Sequence, residues 1–192
     1  DNLILSQLVY IDFAGIVSDN NKNVLTLKDV SDIFFSNHDK SCVSLGVLLP
    51  KEIITLLELT GKSRRFGNMK LSCYVNHIDK EKQEQFSAMT FELNDGLFIA
   101  FRGTDDTLVG WKEDFNMIFT YPVPSQEEAL VYLEKATFAM RNYDLILAGH
   151  SKGGNLAVWA SVNSQKKTSD RIRAVYNNDG PGFCREFIDS EK

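Results

Sequence analysis

One ten-residue stretch, Leu145–Gly154, constrains the fold of this chain more than any other part of its sequence. An apolar run, Tyr143–Ala148, leads into the pattern Gly-His-Ser-Lys-Gly, and a stretch with apolar residues at helical spacing follows it. Small residues at Gly149 and Gly153 suit a tight turn between a strand and a helix, because larger side chains would collide there. The pattern predicts a nucleophile elbow with Ser151 at its tip; the alternative is a glycine-rich turn with an incidental serine.

Strands and helices alternate around this turn. Asn94-Asp95-Gly96 predicts a hairpin, and the spacing of Leu5, Leu8 and Val9 predicts an amphipathic helix that covers the sheet. The order predicts a three-layer α/β fold. Its sheet is expected to be mostly parallel, with an antiparallel hairpin at the front edge, N-terminal helices, and the Ser151 turn ending a central strand. Predicted strands are Leu71–Ile78, Phe86–Leu93, Leu97–Phe101 and Ile172–Asn177; predicted helices are Thr26–Phe35, Pro50–Leu59 and one that starts with a capping box at Ser125–Glu128.

Composition and charge narrow the class of protein. The 192 residues, 43% of them hydrophobic, are expected to form one domain, 1–192. A net charge of −5 argues against a nucleic-acid or anionic-membrane partner. Cys42, Cys73 and Cys184 form no Cys-x-x-Cys pair, and the apolar stretch Leu3–Val17 is interrupted by polar residues. We therefore expect a cytoplasmic protein with no disulfide framework, metal site, signal peptide or membrane span, whose oligomeric state stays open.

Two blocks of sequence resemble the α/β-hydrolases, and among them the class 3 lipases. Gly149–Ala157 is similar to the elbow of those lipases, which also have a histidine before the serine. Phe101–Thr104, with Trp111 and Asp114 downstream, is similar to their Phe-Arg-Gly-Ser/Thr turn and the Trp-x-x-Asp that follows it. The two blocks occur in the order that the family requires.

Three segments of the chain resemble an uncharacterised bacterial branch related to those lipases, the Mbeg-like domains of unknown function. The similar segments are Leu3–Tyr10 near the start, the run Phe101–Asp106, and Asp179–Phe183 near the end. This resemblance implies the hydrolase fold and its chemistry but names no substrate.

The resemblance also assigns roles to residues of this chain. Ser151 would be the nucleophile, and the backbone N–H of Lys152 would be one donor of the oxyanion hole. Thr104, through its N–H and its hydroxyl, would be the other donor, unless it is a strand-end hydroxyl that satisfies a turn. His150 is expected to support the elbow, pointing away from Ser151. The Lys152 side chain is expected either to face the substrate channel or to reach solvent.

Arg102 and Asp114 are expected to form an architectural ion pair that fastens the segment after Thr104, and neither is expected to be catalytic. The segment 104–124 corresponds to the lid of class 3 lipases. Its charged residues come first and its apolar residues later, which weakens the case for interfacial activation on lipid.

The acid and the base of a triad are less clearly marked. Asp179 is the leading acid, because it ends the strand after the elbow helix; the alternative is a turn residue, with the acid one strand later. No histidine follows Ser151, and His38 and His77 lie upstream, on segments placed early in the sheet. We therefore expect the 192 residues to lack the C-terminal part of the domain, with its last strands and the catalytic histidine.

These observations predict a serine hydrolase of the carboxylesterase or lipase type that cleaves an ester through an acyl-enzyme on Ser151, without a cofactor. A small or medium acyl ester fits better than a triglyceride. Two alternatives remain: a hydrolase-fold module that binds a ligand without catalysis, and a thioesterase or amidase with the same nucleophile.

Overall fold

The computed structural model describes residues 1–40, 42–43, 45–46, 49–138 and 140–189. Its helices are α1 (Asn2–Leu8), α2 (Leu27–Asn37), α3 (Glu52–Gly61), α4 (Leu108–Asn116), α5 (Pro124–Phe138), α6 (Lys152–Asn163), α7 (Lys166–Ser169) and α8 (Arg185–Ile188). Its strands are β1 (Leu25–Thr26), β2 (Lys70–Asp79), β3 (Glu84–Glu92), β4 (Gly96–Phe101), β5 (Asp144–His150) and β6 (Ile172–Asn178). Within these residues, no helix is long and apolar enough to cross a membrane.

The six strands form one mixed sheet whose order, β1-β2-β3-β4-β5-β6, follows the chain. Strands β1 to β4 pair antiparallel, and β4, β5 and β6 pair parallel. The Asp-Gly turn is confirmed, since Leu93 N–H donates to Gly96 O at 2.8 Å between β3 and β4. The α/β class is confirmed, although the antiparallel part of the sheet extends beyond the predicted front hairpin.

Helices cover both faces of the sheet, which explains why β4 is buried along its whole length. Phe98 and Ala100 face the layer of α1, α2 and α3, while Leu97, Ile99 and Phe101 face α5 and α6. This alternation follows from the period of two along a strand. Leu5, Leu8 and Val9 are buried against the first face, which confirms the predicted N-terminal helix.

The ends of the helices differ from the predictions. No capping box forms at Ser125: α5 starts at Pro124, and the Gln126 side chain accepts from Val123 N–H at 3.0 Å. A capping box is present instead at α2, where Thr26 and Asp29 exchange hydrogen bonds. Helix α3 begins at Glu52, two residues after the proline expected to start it. Helix α4 was not predicted.

The parallel register brings three chain segments to one edge of the sheet. Phe101 pairs with Gly149, and His150 pairs with Asn178, so β4, β5 and β6 end side by side. The turn that contains Ser151 therefore lies between the segments that follow Phe101 and Asn178.

Candidate active site

Ser151 occupies a strained backbone position between β5 and α6. Its φ and ψ angles are 53° and −133°, a region that side-chain-bearing residues rarely adopt. The backbone N–H of Ser151 donates to Asn178 O at 2.9 Å, which ties the turn to the end of β6. Its half-buried side chain makes no capping hydrogen bond to α6. The hydroxyl is thus presented beside the N-terminus of α6, where the first backbone N–H groups lack helical partners.

The glycines around Ser151 allow three backbone segments to approach one another closely: the end of β4, the end of β5 and the start of α6. A methyl group at Gly149 would collide with the backbone of Gly153, and one at Gly153 would collide with the carbonyl oxygen of Phe101. A methyl group at Gly103 would lie 3.2 Å from Ser151 Cβ. These contacts place the segment after β4 directly beside the serine.

Asp114, which the sequence analysis paired with Arg102, contacts Thr104 instead. The Thr104 hydroxyl donates to Asp114 Oδ2 at 2.5 Å. Burial raises the pKa of Asp114, although the hydrogen bond from Thr104 and the charge of Lys152 lower it in part. Among the residues that the structure describes, Asp114 Oδ1 has no hydrogen-bond partner. The carboxyl group therefore faces Thr104 and holds its side chain.

The predicted pair of Arg102 and Asp114 is wrong. Arg102 Nη2 donates to Asn76 Oδ1 at 2.9 Å and to Asp105 Oδ2 at 3.3 Å. Asp105 is only three residues away, so Nη2 of Arg102 has one partner within its own turn and one on β2, while the buried Arg102 Nε has no hydrogen-bond partner among the described residues. Asp114 accepts the hydrogen bond from Thr104 instead.

The two predicted positions of the Lys152 side chain are also wrong, since it neither reaches solvent nor faces a channel. It is 1% exposed, and its Nζ donates to Glu113 Oε2 at 2.7 Å. The same Nζ donates to the backbone oxygen of Gln85 at 2.7 Å and to Gln85 Oε1 at 3.0 Å. The side chain runs under the elbow into the core, while the backbone N–H stays at the start of α6.

His150 contacts the N-terminal region. Its Nδ1 lies 3.0 Å from the Tyr10 hydroxyl, and the two rings pack edge to face. Burial raises the pKa of Tyr10, so this phenol stays neutral. The Nδ1 of His150 is therefore directed at Tyr10 and not at Ser151.

The two upstream histidines have partners elsewhere. His77 Nε2 lies 3.3 Å from Glu84 Oε1 between β2 and β3, and His38 stacks on Phe34 at the end of α2. Their contacts agree with the expectation that neither is the base for Ser151.

Asp179 follows β6 directly, at the same edge of the sheet as Ser151. It is exposed and has a φ angle of 56°, a left-handed conformation that aspartate tolerates in turns. The preceding residue, Asn178, accepts the hydrogen bond from Ser151 N–H. The turn thus lies near the serine, and among the described residues the Asp179 carboxylate makes no hydrogen bond to a histidine or to Ser151.

Sequence reasoning missed Glu113, the buried partner of Lys152. Helix α4 exposes its apolar residues Leu108, Trp111 and Phe115, which are 78%, 52% and 63% exposed, and buries Glu113 completely. Apolar periodicity alone would predict that Leu108, Trp111 and Phe115 face the core and that Glu113 faces solvent, which is the reverse of the observed orientation. The cation at Lys152, directly after the serine, was the one signal of a buried acidic partner.

A cavity of about 400 Å³ opens beside the first turns of α6. Asn155, one helical turn after Ser151, lines it, together with Gln126, Glu186 and the segments 117–121 and 182–184. Asn155 Nδ2 donates to Pro181 O at 3.0 Å, and its Oδ1 accepts from Gln126 at 2.8 Å, which fixes the wall of the cavity. Within the described part of the chain, no cluster of histidine, cysteine and acidic residues could hold a metal ion.

Comparison with solved structures finds a fungal lipase in complex with an inhibitor, described in a model for interfacial activation in lipases. The TM-score is 0.50 at 14% sequence identity, and the match covers 90% of this chain and 57% of the lipase. The chain therefore spans less than two thirds of the lipase, and the likeness establishes a shared fold. A search of curated proteins finds no match.

A family model matches residues 60–192, which include the Thr104 turn, the Ser151 elbow and the Asp179 turn. The matched region is more than half of the chain, and the chain therefore belongs to the Mbeg1-like family.

Proposed function

We propose that this chain carries the nucleophile and the oxyanion hole of a serine hydrolase that cleaves carboxylic esters. The observation that carries the proposal is the backbone of Ser151, held at positive φ between Gly149 and Gly153 at the start of α6. Strain of this kind persists only where the surrounding structure imposes it, and it is common at catalytic residues. The lipase-like fold of the chain supports the same conclusion.

Two backbone N–H groups are the proposed oxyanion donors. The N–H of Lys152 is the first of α6, and Thr104 lies in the segment that packs against Ser151 through Gly103. Loss of one such donor typically slows acyl transfer by a factor of about 100 to 1,000. In this proposal the Thr104 hydroxyl has a supporting role, because it donates to Asp114.

The proposed reaction has two steps. The Ser151 oxygen attacks the ester carbonyl carbon while its proton passes to a base; the alcohol then leaves with that proton, and the acyl group stays on the serine. Water hydrolyses the acyl-enzyme, and the acid product leaves. The cavity lined by Asn155 is the proposed site for the acyl chain, and its size favours a small or medium ester.

The base is the part of the proposal that these residues do not supply. No histidine follows Ser151 in the sequence, and each of the three histidines has contacts elsewhere. We propose that a histidine outside the 192 residues completes the site, with Asp179 as its acid partner. The missing base also favours a second candidate function, a hydrolase-fold module that binds a ligand without catalysis.

A fluorophosphonate probe separates the two functions. An activated serine displaces fluoride from phosphorus and keeps the phosphonyl group, which intact mass reports. We expect one adduct per molecule on the complete natural gene product and none on Ser151→Ala. A folded wild-type protein that forms no adduct would refute the hydrolase and leave the binding module. Hydrolysis rates of matched ester, thioester and amide substrates then assign the bond.

A further inference from the structure

Glu113 is a buried junction between four chain segments. Its Oε2 accepts from Lys152 Nζ at 2.7 Å and from Gln85 N–H at 3.1 Å, and its Oε1 accepts from Ser125 N–H at 2.9 Å. The side chains of Glu113 and Lys152 are 0% and 1% exposed. One carboxylate on α4 thus holds the elbow helix α6, the start of β3 and the start of α5.

The next residue on α4 holds the opposite side of the candidate site. Asp114 accepts from the Thr104 hydroxyl, and Gly110 brings the same helix close to Thr104. A methyl group at Gly110 would lie 3.0 Å from Thr104 Cγ2. Two consecutive residues of α4, Glu113 and Asp114, therefore contact the two residues proposed as oxyanion donors.

Stability alone gives no reason for a charged pair at this position. Removing two charges from water is costly, and well-packed apolar residues in place of a buried ion pair are often equally stable or more stable. What the pair does supply is geometry: Nζ of Lys152 has three oxygen acceptors in fixed directions. An apolar side chain would leave the first residue of α6 free to shift.

We infer that Glu113 and Lys152 are positioning residues and that α4 is a bracket that sets the separation of the two oxyanion donors. The Lys152 side chain acts on its own backbone N–H by anchoring the first turn of α6. Asp114, the residue after Glu113 on α4, fixes the position of Thr104 by accepting the hydrogen bond from its hydroxyl. The inference rests on the proposed function and adds to it a role for a buried pair that does not touch substrate.

The test uses the complete natural gene product and two changes of the pair. Glu113→Asp keeps both charges but shortens the carboxylate arm, and the double variant Lys152→Met with Glu113→Gln removes both charges together. We expect fluorophosphonate labelling to slow about 10- to 100-fold in each, because small displacements of catalytic groups have effects of that size. The probe concentration for half-maximal rate should stay unchanged, and so should the midpoint of the pH profile of labelling.

Lys112→Met is the matched control, since it removes a lysine from the exposed side of the same helix. It should react at the wild-type rate. The amide ¹H–¹⁵N resonances of Thr104 and Lys152 give a readout that needs no reaction, and both should move in Glu113→Asp. If the double variant does not fold, Glu113→Asp and its resonances still test the bracket.

The outcomes separate the two proposals. Wild-type labelling rates and unchanged Thr104 and Lys152 resonances in folded Glu113→Asp would overturn the bracket while the hydrolase stands. A wild-type protein that does not label overturns the hydrolase. The Thr104 and Lys152 amide resonances of Glu113→Asp then show whether Glu113 still positions these two N–H groups: moved resonances support the bracket, and unchanged ones overturn it.

Discussion

The side-chain amides of Asn2 and Asn178 exchange two hydrogen bonds, each 3.1 Å long, across 176 positions of the chain. The Asn178 amide also donates to Gly149 O at 3.0 Å, and its backbone oxygen accepts from Ser151 N–H. The N-terminal helix is thus connected to the elbow through one asparagine. This arrangement makes α1 part of the support of the candidate site and not only a cover for the sheet.

We predict that Asn2 and Asn178 are energetically coupled. In a double-mutant cycle with Asn2→Ala and Asn178→Ala, the coupling should be about 1 kcal/mol, since each single change leaves a polar partner unsatisfied. Chemical denaturation measures it. Asn178→Ala alone should also slow fluorophosphonate labelling, because it releases the Gly149 carbonyl. Strictly additive effects on the free energy of unfolding would contradict the coupling.

A second prediction concerns the crowding at the elbow. Gly153→Ala should destabilise the fold by about 3 kcal/mol, because the new methyl group would collide with the backbone of Phe101. Gly182→Ala is the matched control, because no atom of the described residues outside its immediate chain neighbours lies within 4 Å of its new methyl group. It should change the free energy of unfolding by less than about 0.5 kcal/mol. Equal denaturation midpoints for the two variants would show that the close approach is absent.

Sequence patterns were sufficient for strands β2 to β6 and for the Ser151 turn, whereas the two-residue strand β1 was not predicted. Strands such as β4 are continuous apolar runs, and the Gly-x-Ser-x-Gly spacing at Gly149 and Gly153 reflects a local steric need. Such features depend on residues near one another in the chain. A short sequence window therefore contains the information that determines them.

The side-chain pairs of Arg102 and Lys152 could not be predicted from the sequence. Three aspartates, Asp105, Asp106 and Asp114, follow Arg102 within twelve residues, and only the three-dimensional course of the turn decides which of them the arginine contacts. Lys152 has its partner Glu113 on a helix whose exposed stripe is apolar. Long-range contacts of this kind depend on how helices rotate against the sheet, which apolar periodicity does not specify here.

A third prediction compares two aspartates whose pKa values shift in opposite directions. Burial raises the pKa of Asp114. Burial would also raise the pKa of Asp12, but hydrogen bonds from Ala14 N–H, the Tyr74 hydroxyl and Asn76 lower it overall. A raised carboxyl pKa contributes stability below the unfolded value, about 3.9, and that stability is lost as pH rises through the folded pKa.

The wild-type protein should therefore lose stability relative to Asp114→Asn as pH rises above about 4. The opposite sign applies to Asp12, whose contribution is present above the unfolded pKa and lost as pH falls through the lowered folded pKa. Relative to Asp12→Asn, the wild-type protein should thus lose stability on acidification. Denaturation midpoints between about pH 3 and pH 7 measure both differences. Parallel pH profiles for all three proteins would contradict the assignment.

The last prediction concerns α4, which lies in the segment 104–124 that we expected, from the resemblance to class 3 lipases, to correspond to their lid. Moving α4 away from the site would separate Glu113 from Lys152 and leave the Lys152 ammonium buried without its carboxylate partner, at a cost of about 3 to 5 kcal/mol. We therefore expect no interfacial activation: the hydrolysis rate of a short-chain ester should rise smoothly through its solubility limit. Leu108→Ser, on the exposed side of α4, should give the same curve. A step in rate at the solubility limit, removed by Leu108→Ser, would mean that α4 opens as a lid, and the bracket would then describe only the closed form of the protein.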